Sequence, residues 1–212
     1  MDRYFGSYQR FDTVADKDAG YLLNADNLVG DSFEIDIVFE DKTRVAWLVN
    51  KFGKRIGFFD EDFSRQLALM DAKGWVLNAY LSYVAYTEEA EGGKYWGEMA
   101  VVCYEKQIEA QVATFTKWLS SKLQDSVRPR IDFDNGAVDK LVSSKGTWQP
   151  EQTLPILKPE KGTVIMKDSL SLGDKIIEQG RKGNIGCYAI SWGFIIAIVA
   201  LVLFAIAGIL FL

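Results

Sequence analysis

The run from Ile190 to Leu212 holds no charged side chain, and Ser191 is its one strongly polar residue. At helical rise its twenty-three residues cover about 34 Å, slightly more than the ~30 Å hydrocarbon core of a bilayer. In hydrocarbon every backbone N–H and C=O needs an internal partner, and a lone segment finds those partners by forming a helix. The expectation is therefore a transmembrane helix over residues 190–212. A buried core helix is the alternative, but apolar runs of this length rarely sit inside soluble domains of this size. A cleaved glycolipid-anchor signal would also need a secretory leader, and Met1 to Arg10 has no apolar stretch. The run reads as a tail anchor.

The flanks suggest an orientation. Lys175, Arg181 and Lys182 precede the run, and no charged side chain follows it. An excess of Lys and Arg marks the cytoplasmic side, so the expectation is a single-pass chain with its N-terminal domain in the cytoplasm. Arg181, Lys182, Tyr188 and Trp192 are the expected membrane-interface residues. Gly193 and Ala197 form one small-xxx-small pair, which offers a face for pairing with a second copy through the transmembrane helix.

The charged residues, 25% of the chain with a net charge of −5, all lie before the anchor. This acidic balance argues against wholesale nucleic-acid binding, which calls for a basic footprint. Histidine is absent, which excludes Ser-His-Asp and Cys-His catalysis and His-containing zinc sites. Two cysteines, Cys103 and Cys187, cannot build a four-cysteine site, and their settings differ too much to suggest a structural disulfide. Cys187 is juxtamembrane, either a plain thiol or an acylation site. No cofactor and no metal is expected. Asp16-Lys17-Asp18 opens like a calcium loop, but Gly20 and Tyr21 stand where a third oxygen ligand and the turn glycine belong.

Residues 1–32 read as a polar, Asp-rich N-terminal segment. From Phe33 to Glu40 apolar and acidic residues alternate, as in a strand with one wet face. Thr43 to Val49 and Arg55 to Phe59 follow as strands of an antiparallel meander, joined by turns at Asp41-Lys42 and Asn50-Lys51-Phe52-Gly53. Asp60 to Lys73 reads as a helix with Phe63, Leu67 and Met70 on one face, acidic residues in its first turn and Gly74 after its last. Trp75 to Tyr86 and Tyr95 to Tyr104 are two long strands around the acidic loop Glu88 to Gly93. A second helix is expected from Lys106 to Leu123, its apolar stripe covering the open face of the sheet. Trp47, Phe58, Phe59, Trp75 and Trp96 are expected in the core.

The fold class is thus α+β: a small, antiparallel, partly closed barrel-like sheet over residues 33–125 with two packing helices, plus one C-terminal transmembrane helix. Residues 126–188 read as a short helix at Asp134 to Ser143, a Pro-bearing linker over Thr147 to Met166, and a juxtamembrane segment. Within that segment Asp168 to Gln179 is either an amphipathic helix lying on the membrane or a plain stalk.

Gly53-Lys54-Arg55-Ile56-Gly57-Phe58-Phe59, followed by Leu67, Met70 and Gly74-Trp75, resembles the middle of a HIRAN domain. The resemblance covers about residues 33–104. It implies a small β-barrel and, for some members of that family, binding of DNA ends. Glu40 to Arg44 stands where the family has an Asn-Pro-x-Asp-type segment, and Asp60 where a proline often follows the aromatic run.

Lys42, Arg44, Lys51, Phe52, Lys54 and Arg55 are the candidate ligand or phosphate contacts. Bases beside an aromatic at a turn can hold phosphates and stack a nucleobase, or touch anionic headgroups. Solvated hairpin tips have the same composition. The function expected from the whole is a membrane-tethered binding or adaptor module without catalytic activity. Its partners would be the lipid bilayer and a protein at the membrane. The alternative is a membrane-held, HIRAN-like nucleic-acid binder.

Overall fold

The computed structural model describes residues 3–13, 19–40, 42–88, 92–156, 161–181 and 196–198. In chain order the elements are β1 (Tyr4–Asp12), a 3-10 turn (Ala19–Leu23), β2 (Ser32–Glu40), β3 (Thr43–Val49), β4 (Arg55–Phe58), α1 (Glu61–Ala72), β5 (Trp75–Thr87) and β6 (Lys94–Glu105). A second 3-10 turn (Lys106–Ile108) leads into α2 (Glu109–Gln124), then β7 (Arg128–Pro129), α3 (Asn135–Ser143), β8 (Thr153–Leu154), β9 (Thr163–Lys167) and α4 (Leu172–Arg181). The chain divides into two compact units, residues 1–170 and 171–212.

In the first unit the strand order is β2-β3-β4-β1-β6-β5, and β5 pairs back onto β2, so six antiparallel strands close a barrel. Closure depends on sharing one border of β5. Its Asn78–Tyr80 stretch pairs with β2, and its Val84–Thr87 stretch pairs with β9, which lies outside the ring. Phe11, Phe33, Leu48, Phe59, Leu81, Met99 and Val101 fill the interior, and α1 adds Phe63 and Leu67 to the same cluster. Each such side chain contributes about 1.5–3 kcal/mol on burial. α1 starts where the Asp60 carboxylate accepts from Phe63 N at 2.8 Å. It stops before Gly74, whose φ of +77° suits a residue without a side chain.

A second core lies outside the barrel. The outward residues Tyr4, Tyr80, Ala100, Val102 and Tyr104 of β1, β5 and β6 are covered by Val112, Phe115, Leu119 and Leu123 of α2 and by Val138 and Leu141 of α3. The alternation along β6 makes both cores from one strand, since Met99, Val101 and Cys103 point inward and Ala100, Val102 and Tyr104 outward.

Four expectations are corrected. The barrel is closed, not partly open, because Tyr4–Asp12, within the expected polar segment, is a strand inserted between β4 and β6. Gly6 breaks the alternation of β1 for a packing reason: a Cβ there would lie 2.0 Å from the Ile131 carbonyl oxygen. The expected Pro-bearing linker contains β8 and β9, and residues 126–170 belong to the barrel unit. Of the expected core aromatics only Phe59 is fully buried; Trp47, Phe58, Trp75 and Trp96 are half-buried. Trp47 and Phe58 share the outer wall, with ring centroids 5.2 Å apart. The expected second helix begins as the 3-10 turn Lys106–Ile108 before α2.

The Asp16-Lys17-Asp18 loop, the middle of the acidic loop (residues 89–91), Lys182, Cys187, Tyr188, Trp192 and most of the 190–212 run lie outside the described residues. Ile196, Ala197 and Ile198 are helical and exposed. Among the described residues no helix is long and apolar enough to cross a membrane.

Candidate functional site

The expected cationic cluster does not assemble. Lys42 and Arg44 sit at the β2–β3 turn, and Lys51, Phe52 and Lys54 at the β3–β4 turn. The seven residues of β3 hold these turns about 20 Å apart. At the second turn the cations are already engaged. Lys51 Nζ lies 3.3 Å from Asp31 Oδ2, and Lys54 Nζ lies 3.5 Å above the Tyr21 ring. The turn itself is built on buried Asn50, whose Oδ1 accepts from Phe52 N and Lys54 N at 3.0 Å each, while its Nδ2 donates to Asn27 Oδ1.

Arg55 turns from the β3–β4 tip toward the acidic end of β2. It pairs with Asp36 at 2.8 Å and Glu40 at 3.5 Å and lies over the Trp47 ring. Arg44 opens on a shallow cleft of about 280 Å³ with Glu40, Asp60 and Glu61 in its walls, an acidic surrounding that repels a phosphate. Arg181, the one expected interface residue within the described chain, ends α4.

A different constellation comes together on the outer wall around β6. Glu98 interrupts an otherwise apolar stretch and faces outward between its register partners Arg10 on β1 and Tyr83 on β5. A bulge between Leu81 and Tyr83 sets that last pairing. Arg128, from the segment after α2, descends onto this spot. Its guanidinium pairs with Glu98 Oε1 at 2.6 Å, donates to the Pro155 carbonyl, and stacks 4.4 Å from the Tyr8 ring. Only 5% of the Arg128 side chain and 6% of that of Glu98 are exposed. Tyr8 closes the circuit by donating to the Pro129 carbonyl at 2.8 Å. Burial pushes the Glu98 carboxyl above the usual carboxylate value, and Arg128 pulls it partly back. Burial also pushes the Tyr83 hydroxyl up to about 12, with Glu98 adding to the shift.

This clamp positions the stretch of chain immediately after Arg128. β7 pairs with β8, and Arg130 extends the pair by donating its backbone N–H to the Gln152 carbonyl at 2.9 Å. The Arg130 side chain is held on two sides. Nε and one terminal nitrogen reach both oxygens of Asp132, at 2.8 and 3.1 Å, and the other terminal nitrogen donates to Gln152 Oε1 at 2.8 Å. The Arg130 hydrogen bond holds the Asp132 carboxyl below the usual range. Two clefts meet at this Arg130–Asp132–Gln152 group. One, of about 520 Å³, runs past Ser7, Tyr8 and Leu154. The other, of about 440 Å³, runs past Phe133, Lys140 and Trp148.

A guanidinium held by Asp132 and Gln152 between two clefts, one mainly apolar and the other mainly polar with Phe133 and Trp148 in its wall, can orient a polar group while neighbouring pockets take side chains. The described residues supply no nucleophile paired with a base there, and no group of three or more Cys, Asp or Glu that could hold a metal. Cys103 is inert by position, since burial in the barrel pushes its thiol up to about 12.

Sequence reasoning passed over Tyr8, Glu98, Arg128, Arg130 and Asp132. The signal available was Glu98, an acid within Tyr95 to Tyr104 where the strand is apolar on both faces. No protein-family model matches the chain, and no curated protein matches it.

Proposed function

We propose that the chain is a membrane-tethered, cytoplasm-facing binding module, an adaptor without catalytic activity, that engages a protein partner through the two clefts meeting at Arg130. The observation that carries this reading is the paired holding of Arg130 by Asp132 and Gln152 at the junction of the clefts. These contacts narrow the conformations of Arg130 before binding, while 47% of its side chain stays open to a partner. β8 is exposed on both residues, which suits an extended peptide laid along it. The apolar run at residues 190–212 and the cations before it support the tether and its orientation. The closed barrel, with the Gly53 to Trp75 stretch running through β4, α1 and the start of β5, supports the HIRAN-like reading of the fold.

The alternative, a membrane-held nucleic-acid binder, is the weaker reading. Its cations lie at opposite ends of β3, and Lys51 and Arg55 are paired with carboxylates.

The test is co-purification of the full chain with its partner from gently solubilised membranes, comparing the natural sequence with Arg130→Ala. The expected result is loss of the partner with an unchanged melting temperature. Equal recovery from both proteins would refute the cleft as the binding surface.

A further inference from the structure

We propose that α4 is an interfacial helix, with its Leu172, Ile176 and Ile177 side resting on the bilayer surface. This rests on the tethered reading above.

The helix is fixed locally. Ser171 Oγ accepts from Asp174 N, and Asp174 Oδ2 accepts from Ser171 N, both at 3.1 Å, a reciprocal cap at the start of the helix. At 3.6 residues per turn, Leu172, Gly173, Ile176, Ile177 and Gly180 fall on one side and Asp174, Lys175, Glu178 and Arg181 on the other. The apolar side is largely open: Leu172 is 84%, Ile176 70% and Ile177 38% exposed. A Cβ added at Gly180 would meet nothing within 4 Å, and one at Gly173 only the Ser171 hydroxyl. Such a face in water is a standing cost that contact with a surface relieves.

The chain itself names that surface. Residues 182–189 join α4 to the apolar run at Ile190, and at ~3.5 Å per residue they span at most about 28 Å. A short helix that would bind lipid weakly when free is thereby kept beside headgroups at high effective concentration. Asp174 and Glu178 cancel Lys175 and Arg181, so the contact is driven by the apolar side and does not require anionic lipid.

The experiment uses the full chain with Cys187→Ser, Cys103 being buried in the barrel. A single Leu172→Cys, Ile176→Cys or Lys175→Cys carries an environment-sensitive fluorophore, and the protein is reconstituted into phosphatidylcholine vesicles with or without phosphatidylglycerol. Brominated acyl chains should quench the labels at 172 and 176 several-fold and leave the label at 175 untouched, with or without phosphatidylglycerol. Labels at 172 and 176 as water-accessible as that at 175, in protein that floats with the vesicles, would overturn the proposal. So would shielding without bromine quenching, which means that protein covers the face, and so would quenching that appears only with phosphatidylglycerol. Protein that does not float with the vesicles would instead refute the tether, and the proposal with it.

Discussion

Arg55 and Arg128 share two kinds of contact in two very different places. Each stacks on an aromatic ring and pairs with carboxylate, Arg55 on Trp47 with Asp36 and Glu40, Arg128 on Tyr8 with Glu98. Arg55 lies on the wet wall of β2–β4 with 41% of its side chain exposed, whereas Arg128 is sealed against β6 by the segment it carries. Water screens the first pair and makes it cheap to break. The second pair has given up its hydration, so neither partner tolerates losing the other. The sequence sets out hairpin cations in plain view, but the buried ion pair that helps fasten residues 126–155 to the barrel, beside the apolar packing of Ile131, Val138 and Leu141, rests on an arginine that nothing in the sequence marks.

The largest effect expected is therefore at Arg128. Arg128→Met leaves Glu98 buried and uncompensated, and should cost about 3–5 kcal/mol by denaturant titration of the full chain in detergent. The double variant Arg128→Met/Glu98→Leu should recover much of that loss. If the single variant costs no more than Arg55→Ala, the contrast between the two regions fails.

Asn50→Ala comes next, at about 1–3 kcal/mol, because it strands two turn N–H groups and the Asn27 amide. A loss under ~0.5 kcal/mol would show that the β3–β4 turn is not held by this residue.

The two clamped carboxyls should then respond to pH in opposite senses. Folded Glu98 holds its proton more readily than the unfolded chain does. Its contribution is full below the ordinary value of 4.5 and is lost as pH rises through the raised folded value. Asp132 is lowered, so its contribution is present above its ordinary value of 3.8 and is lost as pH falls through the lowered one. Stability measured against pH should lose its decline above 4.5 in Glu98→Gln, and should lose part of its acid-side decline in Asp132→Asn. An unchanged profile in Glu98→Gln would mean that the carboxyl is not desolvated. The smallest effect expected is that of Arg55→Ala, below about 1 kcal/mol and shrinking further with added salt.

What could be read from the sequence was whatever is local. The strands from Phe33 to Tyr104 and the two packing helices announce themselves by period, and α1 also by its acidic first turn and following glycine. β1 did not, because its pattern answers to a distant partner: Gly6 is small to admit the backbone at Ile131, and Tyr8 is placed to receive Arg128. β9 was hidden by the prolines before it, although its Val84–Thr87 berth on β5 is ordinary pairing. The candidate site was the least legible part, since it joins β1, β5, β6 and the stretch after α2. Neighbouring positive charges in the sequence were visible, but the length of β3 that separates them acts in space.

The way β5 divides one border between β2 and β9 has a practical consequence for anyone trimming this chain. A cut placed at the prolines, or at residue 125, would leave the second half of that border bare, and the cut at residue 125 would discard Arg128 as well. Leu170, whose N–H donates to the Gln124 carbonyl, marks the natural place to cut. Fragments ending before β9 should clump through their open strand, and those ending just past Leu170 should stay dispersed.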